Sequence, residues 1–116
     1  MALTSKEEVQ IILEQAKENS WKVYKEDRRN FRIKFNMVNL SSNEMPDLKN
    51  FHVVTDVGLI IKRREIFNRI NPINHWELRM LDSSLLVGTY KDITTKFVEE
   101  YNKRVDELMV KDLVLI

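Results

Sequence analysis

Residues 51–63 read FHVVTDVGLIIKR, with Phe51, Val53, Thr55, Val57, Leu59 and Ile61 on alternate positions and His52, Asp56 and Lys62 between them. Successive side chains of a strand point to opposite faces, so this pattern predicts a half-buried strand on which the flanking elements pack or pair. The stretch reads first as one long strand. Its alternative is two short strands joined by a type I turn over Thr55-Asp56-Val57-Gly58, with Gly58 in the left-handed position of a bulge.

Working outward, Thr4 and Ser5 each stand three residues before a glutamate, Glu7 and Glu8, which opens a helix with a capping box. Val9, Ile12, Leu13 and Ala16 give that helix one buried stripe, and Asn19-Ser20 ends it. Trp21 and Val23 alternate with Lys22 and Tyr24, and beyond a polar Glu26 to Asn30 the residues Phe31, Ile33 and Phe35 alternate with Arg32, Lys34 and Asn36. This predicts a hairpin over 21–38 with a large apolar face and a face carrying Lys22, Tyr24, Arg32 and Lys34. Residues 39–50 read as a polar loop.

Downstream, Ile66, Phe67 and Ile70 suggest a short helix over Glu65 to Ile70, stopped by Asn71-Pro72. Trp76, Leu78 and Met80, a turn at Asp82-Ser83-Ser84, and Leu85, Val87 and Thr89 make a second hairpin. Asp92 is the expected cap of a last helix with Ile93, Phe97, Tyr101, Val105 and Leu108 as its buried stripe. The expected fold is one α+β domain over residues 1–116. A mainly antiparallel sheet of five to six strands is covered by the N- and C-terminal helices, in the order α-β-β-β-α-β-β-α.

A chain of 116 residues, 43% apolar and 32% charged, is long enough for a core of its own. With no cysteine, disulfides, thiolate metal sites and a cysteine nucleophile are excluded. Neither a signal peptide nor an apolar run near the roughly 18 residues of a membrane span is present, so a cytoplasmic protein is expected. The formal net charge of +1 gives no general pull toward nucleic acid, but Lys22, Lys25, Arg28, Arg29, Arg32 and Lys34 face only Glu26 and Asp27 between residues 22 and 34.

No catalytic signature is written in the chain. Gly58 and Gly88 are the only glycines, so neither a phosphate-binding loop nor a dinucleotide fingerprint can be formed, and Ser41, Ser42, Ser83 and Ser84 sit in turn contexts without a nucleophile elbow. His52 and His75 are the only histidines; His75 and Glu77 share a strand face, but two ligands do not make a metal site. No catalytic residue, metal or cofactor is expected. Candidate partner-binding residues are Lys22, Tyr24, Arg28, Arg29, Arg32 and Lys34. The apolar surplus Met109, Val110, Leu113, Val114, Leu115 and Ile116 is the expected homodimer interface.

The element order, with IFNRINPIN at residues 66–74, the hairpin from His75 to Tyr90 and the amphipathic helix from Asp92 to Val110, resembles the type III secretion chaperones and the related YbjN-like proteins. The resemblance implies a non-enzymatic, dimeric domain that holds a partner polypeptide against apolar patches of its sheet and helices. Secretion chaperones are acidic, whereas this chain has a sequence pI near 8.0, so the architecture is what carries over. The expected function is therefore a protein-binding module of chaperone, adaptor or inhibitor kind, including a phage or mobile-element product that acts on a host protein. The alternative is a small nucleic-acid-binding protein using the basic hairpin 21–38, and an enzyme is the third reading.

Overall fold

A computed structural model describes the backbone of residues 3–41, 48–67 and 72–115. Its elements are α1 (Ser5–Glu18), β1 (Lys22–Arg29), β2 (Arg32–Met37), β3 (Phe51–Val54), β4 (Ile60–Phe67), β5 (Pro72–Met80), β6 (Ser83–Gly88) and α2 (Tyr90–Leu115). The six strands form one sheet in the order β2-β1-β3-β4-β5-β6, and every neighbouring pair is antiparallel. This is the expected α+β class.

Register explains where the core lies. Val23 pairs with Val53, Val53 with Ile61, Ile61 with Leu78 and Leu78 with Leu86, so five strands place an apolar residue in one row. Phe51, Arg63 and Trp76 form the row beside it. Helix α1 packs its Val9, Ile12, Leu13 and Ala16 into the same core, and α2 adds Ile93 and Phe97. Both helices serve the same face, and among the described residues no helix covers the other.

Local chemistry sets the boundaries. Thr4 caps α1 by accepting from Glu7 N–H at 3.2 Å, while Glu7 Oε1 accepts from Thr4 N–H at 3.2 Å. Helix α2 uses the same device three residues earlier than expected: Thr89 Oγ1 accepts from Asp92 N–H at 3.3 Å and Asp92 Oδ2 accepts from Thr89 N–H at 3.2 Å. Thr89 is therefore the cap, and Asp92 is its partner three residues on.

The stretch 51–63 is two strands rather than one. Gly58 takes φ +85°, its N–H donates to Thr55 O at 3.3 Å, and Thr55 N–H donates to Leu59 O at 2.9 Å. A left-handed residue at this position suits glycine, so the turn alternative holds. The turn is then fastened to the rest of the molecule, because Asp56 Oδ1 accepts from Trp21 Nε1 at 3.2 Å and from the Tyr101 hydroxyl at 3.1 Å.

Residues Glu65 to Phe67 differ from expectation too. They continue β4 and pair with Pro72 to Asn74 instead of starting a short helix; residues 68–71 lie outside the described set. Ladder pairing satisfies the backbone groups there, which outweighs the apolar spacing of Ile66 and Phe67.

Arg63 is a charged residue 3% exposed in the core. Its guanidinium donates to Lys49 O at 2.6 Å and Ser5 Oγ at 2.6 Å and lies 5.6 Å from the Trp76 ring centre. Burial lowers its pKa, opposed by Glu65 and Glu8. The group thus ties the start of α1, the segment before β3 and the sheet together. Hydrogen bonds from a charged donor contribute about 1.5–3 kcal/mol each, so Arg63→Ala should lose about 3 kcal/mol of stability in urea unfolding. Arg63→Lys, lacking the planar fork, should recover less than half of that.

Candidate protein-binding face

The hairpin of β1 and β2 closes through two residues, Asn30 at φ 52° and Phe31 at φ 63°. Two consecutive left-handed residues are the mark of a type I′ turn, whose twist matches that of the flanking strands. The turn makes Arg29 the partner of Arg32, followed by Arg28 with Ile33, Asp27 with Lys34, Glu26 with Phe35, Lys25 with Asn36 and Tyr24 with Met37. Paired residues of an antiparallel ladder share a face. Even-numbered positions of β1 therefore lie with odd-numbered positions of β2.

This corrects the expected basic face. Lys22 and Tyr24 lie on the open side of the sheet, whereas Arg32 and Lys34 lie on the helix side, and Lys34 stands opposite Asp27. The side chains of Arg28 and Arg29 lie outside the described residues. Thus the structure does not bring Lys22 and Tyr24 together with Arg32 and Lys34. The apolar face moves with it: Ile33, Phe35 and Met37 are not core but stand on the open side, 48%, 45% and 63% exposed. Phe31 is at the hairpin tip, wholly exposed.

The open face can be read row by row. The central row runs Met37, Tyr24, His52, Lys62, Glu77, Val87 across six strands. On one side of it stand Phe35, Glu26, Arg64 and His75, and on the other Lys22, Val54, Ile60, Arg79 and Ser84. Val54 and Ile60 are half-buried at the centre, and Val87 is exposed near the far edge. Charges are interleaved with these groups. Arg64 Nη2 meets Glu26 Oε1 at 3.0 Å and Arg79 Nη1 meets Glu77 Oε2 at 3.2 Å. Burial alone would raise the Glu77 pKa, but hydrogen bonding from Ser84 and the positive charges of Arg79 and Lys62 outweigh it and hold the carboxyl below its usual value.

His52 is the most constrained titratable group of this face. Its ring lies 4.5 Å from that of Phe35, and its Nε2 is buried without a hydrogen-bond partner among the described residues. Burial first, and then Lys62, Arg64 and Arg79 against the opposing Glu26, lower its pKa below 6.5. His75 shares the open face with Glu77, as expected from their spacing. Among the described residues no three His, Asp or Glu side chains are grouped so as to hold a metal ion.

On the helix side a cavity of about 630 Å³ lies between α1 and β4, lined by Ser5, Val9, Leu13, Leu48, Arg63 and Glu65 among others. Its central cation, Arg63, is committed to the structural contacts given above. The side chains of Met109, Val110, Leu113, Val114, Leu115 and Ile116 lie outside the described residues, so the expected interface there has no structural description. Among the described residues no helix is long and apolar enough to cross a membrane. Family models, curated proteins and solved structures contain no match to this chain.

Two expectations follow from this geometry. Because the folded His52 binds its proton less readily than the unfolded chain, its stabilising contribution is complete above about pH 6.5 and is lost as pH falls through the folded pKa. His52→Gln should remove that part of the acid-side decline in urea midpoint, and an unchanged decline would exclude it. Phe31, a bulky residue at positive φ, carries strain of about 1–3 kcal/mol. Phe31→Gly should therefore raise stability by about 1 kcal/mol in the same unfolding measurement, because glycine suits the second position of a type I′ turn.

Proposed function

We propose that the chain is a non-enzymatic protein-binding module, of chaperone, adaptor or inhibitor kind, that takes a partner polypeptide on the open face of its sheet. The observation that carries this reading is that Ile33, Phe35 and Met37 stand exposed together along β2, on the face that neither helix covers among the described residues. Apolar side chains outside the core lose solvent-exposed area only when something is laid on them, and a contiguous apolar patch marks an interaction surface. Phe31, at a strained and fully exposed turn position, adds to the same reading.

The charges describe the partner. Lys22, Lys62, Arg64 and Arg79 on this face are balanced by Glu26 and Glu77, both already engaged by arginines. A polypeptide with an apolar strip flanked by acidic residues complements it. A nucleic-acid binder is the second reading: Lys22 shares the open face with Lys62, Arg64 and Arg79, but Arg32 and Lys34 of the hairpin lie on the helix side. A reducing, cytoplasmic setting suits a sequence without cysteine. A phage or mobile-element product acting on a host protein is one form this module takes.

The test is capture from the native host's lysate with and without nuclease, followed by direct binding of the purified partner to wild-type chain and to Ile60→Glu. Ile60 sits in the middle of the open face, and a carboxylate there, opposite Arg79, should repel the acidic flank of the partner and weaken the complex by about tenfold or more. An apolar interface should also change little with salt, whereas several phosphate contacts would make affinity fall steeply. Recovery of nuclease-sensitive material alone, or a partner bound equally well by Ile60→Glu, would overturn the reading.

A further inference from the structure

Strand β2 ends the sheet: among the described residues nothing pairs with its outer side. Val38 N–H donates to Val23 O at 2.9 Å, and the two-residue turn makes Arg29 and Arg32 a hydrogen-bonded pair. Hydrogen-bonded and non-hydrogen-bonded pairs alternate along an antiparallel ladder. The even positions of β2 therefore direct their backbone groups at β1, while Ile33, Phe35 and Met37 aim theirs at the free edge. Those same three residues carry the exposed apolar side chains.

The two edges of the sheet are built differently. The β6 edge has a register shift between Leu78 and Arg79 of its neighbour, an irregularity that discourages further pairing. Strand β2 has no such break over Arg32–Met37, and its cation Lys34 faces Asp27 within the chain. An unbroken, apolar edge is a template for another strand.

We infer that the other strand is β2 of a second copy, antiparallel about a two-fold axis through Phe35, which joins the two sheets into one. In that register Phe35 meets Phe35 of the other copy and Ile33 meets Met37, all three at positions whose backbone groups point outward. On the opposite side Lys34 meets Asn36 in the closer, non-hydrogen-bonded pairing, so an ammonium donates to an amide oxygen twice by symmetry. Shifting the axis by one residue, to Lys34, would oppose two lysines, which the ladder penalises. The stretch Ile33-Lys34-Phe35-Asn36-Met37 is thus complementary to itself in backbone, apolar and charged groups together. This assembly shares Ile33, Phe35 and Met37 with the proposed binding face; it is carried by their backbone register at the free edge, whereas the partner polypeptide lies on their side chains.

Sedimentation across a concentration series tests it, with circular dichroism to confirm folding of each variant. Wild-type chain should dimerise reversibly. Phe35→Lys, which places two cations together on the axis, should weaken association by about 100-fold or more. Asn36→Asp creates two Lys–Asp pairs and should tighten it by about tenfold, while Asn36→Lys should weaken it. A monomer at every concentration would overturn the inference. So would a dimer indifferent to Phe35→Lys, or one that Asn36→Lys and Asn36→Asp affect alike, or one lost only when residues 113–116 are removed. Loss of partner binding with the dimer intact would count against the proposed function alone.

Discussion

One aligned row of apolar side chains, Val23, Val53, Ile61, Leu78 and Leu86, is the constraint on which the molecule depends. Because the side-chain period of a strand is two, a slip of one residue in any of these strands would turn its apolar set to water. The row gives α1 and α2 their common seat, and Trp21, Phe97 and Tyr101 close one end of it in mutual ring contacts of 5.5–5.6 Å between centres. Two helices cover one face, and the surface offered to partners is the remainder of that geometry.

Much of this was legible in the residues. The stripes of α1 and α2 were written at helical spacing and the strands at alternate positions: Val9, Ile12, Leu13, Ala16, Ile93 and Phe97 are buried as those patterns name them, Tyr101 and Val105 are half-buried, and the side chain of Leu108 lies outside the described residues. Burial of an amphipathic stripe is a local property, and local properties survive in sequence. Gly58 carried both of its readings until the turn hydrogen bonds decided between them.

The surface was less legible because a face depends on register, and register depends on turn length. Assigning Glu26 to Asn30 to the turn groups Lys22 with Lys34; a turn of Asn30 and Phe31 alone separates them. Asparagine at the first turn position was the available signal, since it tolerates positive φ, but phenylalanine beside it argued for a strand. Once the register is known, Phe31, Ile33 and Phe35 change from an apolar packing face to surface without any change in their spacing. Arg63 was equally hidden: a cation between Lys62 and Arg64 looks solvated until the strand's inward positions are counted.

The connection that carries the chain from β2 across β1 to β3 has a consequence for how the protein reaches this state. Strands β3 to β6 are joined in succession by sequence-adjacent pairings, as are β1 and β2. Contacts between residues near in sequence incur little loop-closure entropy and form first. The β1–β3 seam, with partners from Lys22 with Val54 to Lys25 with Phe51, closes the longest interval between paired strands. By loop-closure entropy the sheet divides into a two-stranded and a four-stranded unit. Their late union seats Trp21 beside Asp56 and brings Glu26 to Arg64, making the seam the natural boundary between cooperative folding units.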